Sequence, residues 1–530
     1  ILVRAALQLN GAPASPANLL DRADQFLASH GGVKGLSRLY GSDKTFRVPI
    51  LTNCALAGTV TWGKVPALPF ELACLPPSLY AALRLPVVSY AIPALVAVGL
   101  VRFRQAPPRN PLTRWLRRRA VQGALRMLEQ MQPASGGFLE ATPLTSFVVM
   151  SLSAAGEVAH PAVRRGVDFL CASVRPCGGW PIDTNLATWV TTLSIQALAA
   201  GGDEDVTRDC LPWLLNCQHR QVHPATQAAP GGWAWTDLSG GVPDVDDTAG
   251  ALLALSTIAG QGASSGEEVL PAIREAAAAG VAWLLQLQNR DGGWPTFCRG
   301  WGKLPFDRSG TDLTAHAIRA LHAWQTHFDR FGQPVTGEGV LPPGAVGRAV
   351  GQGLEYLERH QQPDGSWLPL WFGNQDRPDQ SNPVYGTARV LLAYRDLQRL
   401  DHPAARRGLA WLQAAQGRSG DWGSVEETSL AVEALLADPH ATPDSERWEA
   451  MVRGLQWLVE AVQDDRHRQP APIGFYFAQL WYYEHLYPLV FATSALGQAL
   501  RRFAPPDRFA PEDWPRRQLT ADSPFSASKA

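Results

Sequence analysis

Apolar positions in this chain recur with the period of an α-helix, and the same helical pattern returns along the sequence. Each clear copy has a glycine, an aromatic–aliphatic pair, a glutamine and a glycine-rich turn that ends in tryptophan. The clear copies span 280–294, 353–367 and 408–422, and weaker copies end at Phe138, Trp180 and Trp233. Such self-similarity is typical of stacked helical units. Because no run of alternating strands interrupts it, the pattern predicts an all-α protein whose helix pairs wind into barrels or toroids.

Glutamine precedes tryptophan by six positions in all three clear copies, as in Gln361 and Trp367. We expect the glutamine side chain to cap the end of a neighbouring helix while the tryptophan stacks over it. Most of the 19 tryptophans are therefore assigned to structure, among them Trp294, Trp367 and Trp422.

The pattern divides the chain into three parts. Residues 1–190 are expected to form one α-barrel domain, and 191–503 a second, which carries the candidate acid site described below. Residues 504–530 are rich in proline and polar residues, which is typical of a loose tail. The chain begins at Ile1 in what reads as the middle of a helix, so we expect part of the N-terminal segment to be missing.

Residues 85–101 carry no charge, and Arg84, Arg102 and Arg104 flank them. A transmembrane helix needs about 20 apolar residues, and this run is shorter and contains two prolines. Two interpretations stay open at this point. One is a buried core helix, and the other is a monotopic surface that dips into one leaflet of a membrane.

Composition narrows the range of functions. The chain has 530 residues and a net charge of −1, so no basic excess would attract nucleic acid. Its seven cysteines lack metal-site spacing and are typical of a reducing compartment. Cys210, Cys217 and Cys298 do not show the pattern of the zinc site that a protein prenyltransferase-like subunit would need. We expect neither a metal nor a cofactor.

Three carboxylates fall within four residues, at Asp244, Asp246 and Asp247, ahead of an apolar run. Acids this close cannot all ionise cheaply in a poorly solvated site. At least one should have a raised pKa and keep its proton near neutral pH, which would make it a usable Brønsted acid. The alternative interpretation is an acidic N-cap that begins a helix.

Three features together resemble the squalene–hopene cyclases and, more widely, the class II triterpene cyclases. They are the acidic stretch 244–249, the glutamine–tryptophan repeats and the stretch 310–316. The resemblance covers residues 1 to about 503 and implies two α/α-barrel domains, one an (α/α)6 barrel, with a large cavity between them. It also implies a homodimeric, monotopic membrane protein on the cytoplasmic side, which strengthens the membrane interpretation of 85–101.

The activity that the resemblance implies is protonation of a terminal alkene, followed by cyclisation through carbocations. The expected substrate is squalene or a related polyprene, and the expected product is a polycyclic triterpene such as hopene or hopanol. In this family, Asp246 matches the proton donor, and Asp244 and Asp247 match flanking carboxylates that tune it.

Three further residues match the family's acid machinery. His316 is expected to hydrogen-bond the donor carboxyl and to be held in turn by Asp312. Tyr385 matches a tyrosine near the acid that would help to reprotonate it through water.

The cations of such a reaction need a dry wall of aromatic faces, each of which attracts them by about 0.5–2 kcal/mol. The candidates that match family positions are Trp189, Trp235, Phe297 and Trp371. An aromatic stretch near the C-terminus adds candidates by neighbourhood alone, namely Phe475, Trp481, Tyr482 and Tyr483. For these last four, ordinary core packing is an equal alternative.

Some positions depart from the family pattern. Asn53 stands where the squalene cyclases have a cavity tryptophan, and Phe297 replaces a tyrosine. Val190 occupies a position where an aspartate is usual. The acid residues match while the cavity lining differs, so proton-initiated cyclisation is better supported than squalene as the particular substrate.

Two other functions stay open. A class II cyclase acting on a shorter prenyl chain or a prenyl diphosphate would use the same acid. A diphosphate would also need a basic pocket, and no cluster of Lys and Arg lies near the motif in the sequence. A non-catalytic helical repeat protein that binds lipid would have no reason to keep Asp246 together with His316.

Overall fold

The computed structural model describes residues 1–11, 18–41, 46–83, 85–203, 209–260, 270–331, 335–336, 339–340, 342, 344–475 and 480–503. The predicted tail 504–530 and Arg84 lie outside these residues. The described chain is predominantly helical, which confirms the predicted all-α class. Its α-helices pack as two regions, one on each side of about residue 180.

The N-terminal region is built around three long helices that share one apolar core. Its helices are α1 (Leu2–Asn10), α2 (Leu19–Ser29), α3 (Gly32–Tyr40), α4 (Arg47–Leu56), α5 (Pro77–Ala82), α6 (Val87–Gln105), α7 (Pro111–Met131), α8 (Thr142–Ala154) and α9 (Pro161–Ala172). Single 3-10 turns lie at Trp62–Lys64, Phe70–Cys74 and Phe138–Glu140. Helix α6 packs against α7, α8 and the turn at Phe70–Cys74, so it is central to this core.

Helix α6 contains the uncharged run 85–101. By length and composition it is long and apolar enough to cross a membrane, but 67% of its apolar window is buried inside the protein. Val98 is only 1% exposed, and Leu100 and Val101 are fully buried. The structure therefore uses this run as the core helix of the first interpretation.

The C-terminal region is a double ring of helices. They are α10 (Ala187–Gly201), α11 (Leu211–Asn216), α12 (Val245–Gly260), α13 (Leu270–Leu287), α14 (Thr311–Phe331), α15 (Ala345–Arg359), α16 (Pro383–Asp396), α17 (Pro403–Ala414), α18 (Val425–Leu436), α19 (Glu446–Gln463) and α20 (Leu486–Phe503). From α10 onward, each even-numbered helix packs against the next even-numbered helix. Helix α20 packs back against α10, so these helices close an inner ring. The predicted boundary at residue 190 falls within α10, which belongs wholly to this ring, so the division lies before Ala187.

Short antiparallel strands join the helices. They are β1 (Trp294–Pro295) with β2 (Ser309–Gly310), β3 (Val335–Thr336) with β4 (Gly339–Val340), and a sheet of β5 (Phe372–Asn374), β6 (Ile473–Phe475) and β7 (Leu480–Tyr482). In the three-stranded sheet, β6 lies between β5 and β7. This sheet brings two distant loops of the ring together beside the cavity described below.

The glutamine–tryptophan repeats clamp successive outer helices together. Gln361 Nε2 donates to the carbonyl of Gly365 in its own turn and to that of Ala404 at the start of α17, at 2.8 and 2.9 Å. Trp367 Nε1 donates to the carbonyl of Leu357, and its ring lies where a Cβ on Gly408 would approach within 2.7 Å. The copies at Gln288 and Gln416 have the same bonds. The predicted structural role of these residues is confirmed.

Candidate active site

A cavity of about 1550 Å³ lies where the N-terminal region meets one end of the helical ring. The N-terminal wall is apolar and includes Leu139, Leu144, Phe147 and Met150. The ring side presents the acidic motif together with aromatic side chains. The starts of α10 and α12 lie at this end of the ring, so the fold places the N-terminal turn of α12, where the acids are, against the cavity.

The three acids have different positions although they are close in sequence. Asp244 is the N-cap of α12, because its Oδ1 accepts the backbone N–H of Asp247 at 2.9 Å. The cap interpretation therefore describes Asp244. All three acids line the cavity, but Asp244 and Asp247 are only 3% and 4% exposed, whereas the side chain of Asp246 is 16% exposed. Asp246 is thus the carboxyl of the motif that a bound substrate can best reach.

His316 on α14 is the hydrogen-bond partner of Asp246. Its Nδ1 lies 2.9 Å from Asp246 Oδ1, because α12 and α14 are neighbours in the inner ring. The histidine is 2% exposed, and its Nε2 has no partner among the described residues. No described residue hydrogen-bonds the second oxygen of Asp246, which leaves that oxygen available to the cavity.

Burial sets the protonation of this cluster. It raises the pKa of Asp246 to about 6, against the opposing charge of Arg389. It also raises the pKa of Asp244 to about 7 and that of Asp312 to about 7, while the pKa of Asp247 is raised well above the ordinary value. Burial and the charge of Arg389 hold the pKa of His316 well below its usual range. Near neutral pH the cluster therefore holds protons on carboxyls beside a neutral imidazole.

The aromatic walls come from several elements of the ring. Trp189, Trp235, Phe297, Trp371 and Tyr482 all line the cavity, as predicted. Trp189 Nε1 donates to Tyr487 Oη at 2.8 Å, and Trp371 Nε1 donates to Thr296 Oγ1 at 2.7 Å. These bonds fix the edges of the two indole rings.

The residues 186–501 match the family model of the squalene-hopene cyclase C-terminal domain. The chain belongs to the squalene–hopene cyclase family. It is 26% identical to the squalene–hopene cyclase of Bradyrhizobium diazoefficiens, over 78% of this chain and 70% of that protein. It is also 26% identical to the squalene–hopene cyclase of Alicyclobacillus acidocaldarius, over 91% of this chain and 83% of that protein. Among solved structures, ent-copalyl diphosphate synthase from Streptomyces platensis has 19% identity and a TM-score of 0.45, over 94% of this chain and 99% of that chain.

Membership in the squalene–hopene cyclase family identifies the chain as a terpene cyclase. Enzymes of this family begin cyclisation of a polyprene by protonating an alkene, as the resemblance implied. The requirement is a carboxyl that faces an apolar cavity and holds a proton more readily than an ordinary one. Asp246 lines this cavity, and burial raises its pKa to about 6.

One predicted contact of the family's acid machinery is wrong for this chain. Asp312 was expected to hold His316, but its Oδ1 accepts the backbone N–H of Leu370 at 3.0 Å and its Oδ2 has no partner. Asp312 lies in the first turn of α14, where its carboxyl is turned to the loop after Trp367 rather than toward the next turn of its own helix. Its influence on Asp246 is through charge alone.

Tyr385 lies near the acid without touching it. It is 3% exposed, its ring packs 4.7 Å from that of Phe372, and the guanidinium of Arg389 lies 5.7 Å from its centroid. Since no hydrogen bond joins it to Asp246, the predicted reprotonation route would need intervening water. That role stays a prediction.

Two of the C-terminal wall candidates are wrong. Leu480 and Tyr482 line the cavity, while Trp481, between them on β7, does not. Side chains alternate between the two faces of a strand, so Trp481 lies on the far side of the sheet. Tyr483 is 60% exposed beyond the end of β7. The side chain of Phe475 lies outside the described residues.

Sequence reasoning missed several cavity residues. The aromatic ones include Tyr90, Phe306, Phe372 and Tyr487. The charged ones are Arg38 and Asp183, whose pKa burial raises to about 7. Sequence reasoning also missed Arg389, which does not line the cavity but lies beside His316 behind the acid. A signal existed for Arg389, because it is a lone charge within the otherwise apolar helical run 383–394.

Proposed function

We propose that the protein cyclises a linear polyprene of the squalene class to a polycyclic triterpene such as hopene or hopanol, with Asp246 as the proton donor. The single observation that carries this proposal is the position of Asp246. Of the three motif acids that line the cavity it is the most exposed, and it is hydrogen-bonded to a buried, neutral histidine.

The reaction begins when Asp246 gives its proton to one carbon of a terminal alkene. The other carbon becomes a tertiary cation, and the next alkene of the chain attacks it, so each ring closure moves the positive charge along the substrate. Trp189, Trp235 and Phe297 line the cavity with electron-rich faces that attract this charge without reacting with it. Proton loss or capture by water ends the sequence, and the carboxylate of Asp246 must then be reprotonated.

The size of the cavity favours a long substrate. Ordinary small-molecule pockets measure about 300–1000 Å³, and this one measures about 1550 Å³. A class II cyclase for a shorter prenyl chain is the second candidate, since it would use the same acid. For a prenyl diphosphate, the described lining offers Arg38 as its arginine and no lysine.

The test is incubation of membranes that contain the protein with squalene and, separately, with geranylgeraniol, followed by mass spectrometry of the products. We expect cyclic product from squalene in the wild type and none with Asp246→Asn. The matched control is Asp464→Asn, at a side chain that is 68% exposed and remote from the acid motif in the chain, and it should keep full activity. Product from Asp246→Asn would refute the assignment of the acid, and product from geranylgeraniol alone would favour the shorter chain. Retention of both lipids without conversion would favour a lipid-binding protein.

We also propose monotopic membrane association, on the cytoplasmic side, through an exposed apolar surface that we call the leucine surface. It is formed by Leu72, Leu75, Leu79, Leu83, Leu112, Trp115 and Leu116, which are 38–71% exposed. Arg119 lies 4.8 Å over the Trp115 ring, and tryptophan with arginine suits the headgroup layer. Leu79→Glu with Leu112→Glu should reduce flotation with liposomes, and Val158→Glu, at a residue 62% exposed, is the control. The proposed homodimer is checked by sedimentation of the detergent-solubilised protein.

A further inference from the structure

A fourth carboxylate lies on the cavity wall, outside the acid motif. Asp183 lines the cavity, and no described residue hydrogen-bonds its carboxyl. Several other polar groups of the lining are occupied within the protein. Tyr487 Oη accepts from Trp189 at 2.8 Å, and Thr296 Oγ1 accepts from Trp371 at 2.7 Å. A carboxylate without a partner in an apolar wall is costly, so a positively charged group bound in the cavity would find a partner here.

The backbone fixes Asp183 at this wall. Asp183 pairs with Ala141 in an antiparallel bridge. On the next residue, the backbone N–H of Thr184 donates to the carbonyl of Glu140 at 3.0 Å. These contacts tie the segment before α10 to the N-terminal region. The carboxyl of Asp183 therefore starts from a fixed backbone although its oxygens are not bonded.

The neighbouring acid Glu140 is already paired. Its carboxyl accepts from Ser135 Oγ and from the backbone N–H of Gly240, and it does not line the cavity. Burial and then the charge of Glu140 raise the pKa of Asp183 to about 7, while the pKa of Asp246 is raised to about 6. A proton that leaves Asp246 and ends on Asp183 has therefore moved to the stronger base.

Asp183 faces the same chamber as the acid motif from another part of the wall. Six positions further along the chain, the ring of Trp189 lies edge-on to that of His316, with centroids 6.0 Å apart. Outside the motif, the other side chain of the described lining that could take up a proton near neutral pH is His30. That histidine is exposed and stacks on Phe26 at 4.1 Å. Asp183 is thus the better placed of the two to meet a cation inside the chamber.

We propose that Asp183 is a catalytic base that ends the cyclisation by taking a proton from the carbocation, so that the product is an alkene rather than an alcohol. This assignment rests on the proposed function. In the step, a C–H bond beside the cationic carbon breaks and its electron pair forms a C=C bond. The proton forms an O–H bond with the Asp183 carboxylate. Over one cycle Asp246 loses a proton and Asp183 gains one, and exchange with water restores both groups.

The first test compares Asp183→Asn and Asp183→Glu in the conversion of squalene in water labelled with oxygen-18, with mass spectrometry of the products. Asparagine keeps the shape of the side chain but cannot take the proton, so the ratio of alkene to alcohol should fall by about 10-fold or more. The alcohols should carry the label. Glutamate keeps a carboxylate and should retain most of the wild-type ratio. Total conversion should change less than the ratio, because Asp246 still starts the reaction.

Two control variants separate Asp183 from its surroundings. Glu140→Gln removes the neighbouring acid, which does not line the cavity, and should leave the ratio unchanged. His30→Gln removes the other possible base and should also leave it unchanged. A lower ratio in His30→Gln together with a normal ratio in Asp183→Asn would assign the base to His30 and overturn the proposal.

A second measurement does not depend on turnover. Dodecyldimethylamine, which is protonated near neutral pH and resembles an aliphatic cation, is titrated into the protein and its binding is followed by tryptophan fluorescence. Dodecanol is the neutral reference. Asp183→Asn should weaken binding of the amine by about 10-fold and leave binding of dodecanol unchanged. Glu140→Gln should change neither.

An unchanged ratio of alkene to alcohol in folded Asp183→Asn would overturn the proposal. An equal fall in both Asp183 variants would also overturn it, because it would trace the effect to shape rather than to the carboxylate. If the wild type does not convert squalene but binding of the amine still depends on Asp183, the proposed substrate fails and the cation-binding position of Asp183 stands.

Discussion

Two polar clusters lie on the inner helices of this enzyme, and they are paired very differently. In the first, Asp396 accepts from Arg319 and Arg395 at 2.6 and 2.7 Å, and Arg395 also reaches Glu433. The second is the acid cluster, in which Asp247, Asp312 and His316 each leave one polar atom without a partner.

The pKa values follow the pairing. The two arginines hold the pKa of Asp396 at about 2, whereas burial raises the pKa of Asp312, on the same helix as Arg319, to about 7. The partly buried Asp396 is thus held ionised by its two cationic partners, whereas the buried Asp312 has no such partner and binds a proton more readily. The difference indicates that the first cluster stabilises the ring and that the second serves proton transfer.

The largest expected effect is at Asp246. Asp246→Asn removes the transferable proton but keeps the shape of the side chain, so product formation should fall by about 10³-fold or more. Because the site is underpaired, the free energy of unfolding should stay within about 1 kcal/mol of wild type. Product assays and denaturant titration of the same preparation check both statements. A large loss of stability would remove the contrast with the ion-pair cluster.

The opposite pattern is expected at Asp396. Asp396→Asn leaves Arg319 and the partly exposed Arg395 without their shared anion, which should cost about 1–3 kcal/mol of stability. The protein that remains folded should keep most of its kcat, because Asp396 does not line the cavity. Urea denaturation followed by circular dichroism measures the first effect, and kcat per folded molecule measures the second. Equal losses of activity in Asp396→Asn and Asp246→Asn would show that the two clusters act as one.

The two clusters should also respond to pH in opposite directions. Asp246 and Asp244 have folded pKa values of about 6 and about 7, above the value of about 3.9 in an unfolded chain. The folded state therefore binds more protons in this window, and stability should fall as pH rises from about 4 to about 7. Asp396 has a lowered pKa, so its contribution is present above about pH 4 and is lost as pH falls through about 2.

Melting temperatures at pH 5 and pH 7.5 test this sign. The wild type should melt at the higher temperature at pH 5, and Asp246→Asn should reduce the difference. A wild-type protein that is more stable at pH 7.5 would show that other groups outweigh the acid cluster.

The smallest expected effect compares Asp183, at the cavity wall, with Glu140, a buried acid outside the lining. Glu140 accepts from Ser135 Oγ and from the backbone N–H of Gly240, at 2.6 and 2.8 Å. Asp183 lines the cavity with no hydrogen bond from its carboxyl to a described residue. If an acid without hydrogen-bond partners takes part in the reaction, Asp183→Leu should change the ratio of products several-fold with little loss of stability. Glu140→Gln should lower stability and leave the ratio unchanged. Gas chromatography of the products decides between them.

The local sequence pattern was enough to predict the glutamine–tryptophan contacts between outer helices and the position of the acid. Gln361 and Trp367 recur at fixed spacing because each outer helix meets the next in the same way, so one repeat predicts the others. Asp246 and His316 were predicted from their family match, and the closed ring brings them within 2.9 Å.

Contacts between distant segments were not predictable in this way. The carboxyl of Asp312 accepts a hydrogen bond from the backbone N–H of Leu370, which lies 58 positions away in a loop. Sequence spacing does not predict where that loop lies. Trp481 lies outside the cavity because strand register fixes which alternate residues face it. The run 85–101 was ambiguous because a core helix and a membrane-facing helix have the same composition.

The closed inner ring also determines when the catalytic chamber comes into existence during synthesis. The bond between Trp189 and Tyr487 joins residues 298 positions apart, and α20 completes the ring by docking against α10. Contacts of such long range are slow to form, because the entropy of closing the intervening chain must be overcome first. A nascent chain that has already produced the acid on α12 therefore still has an open ring, and the wall of the cavity is completed only when the last helix of the ring, α20, has been synthesised.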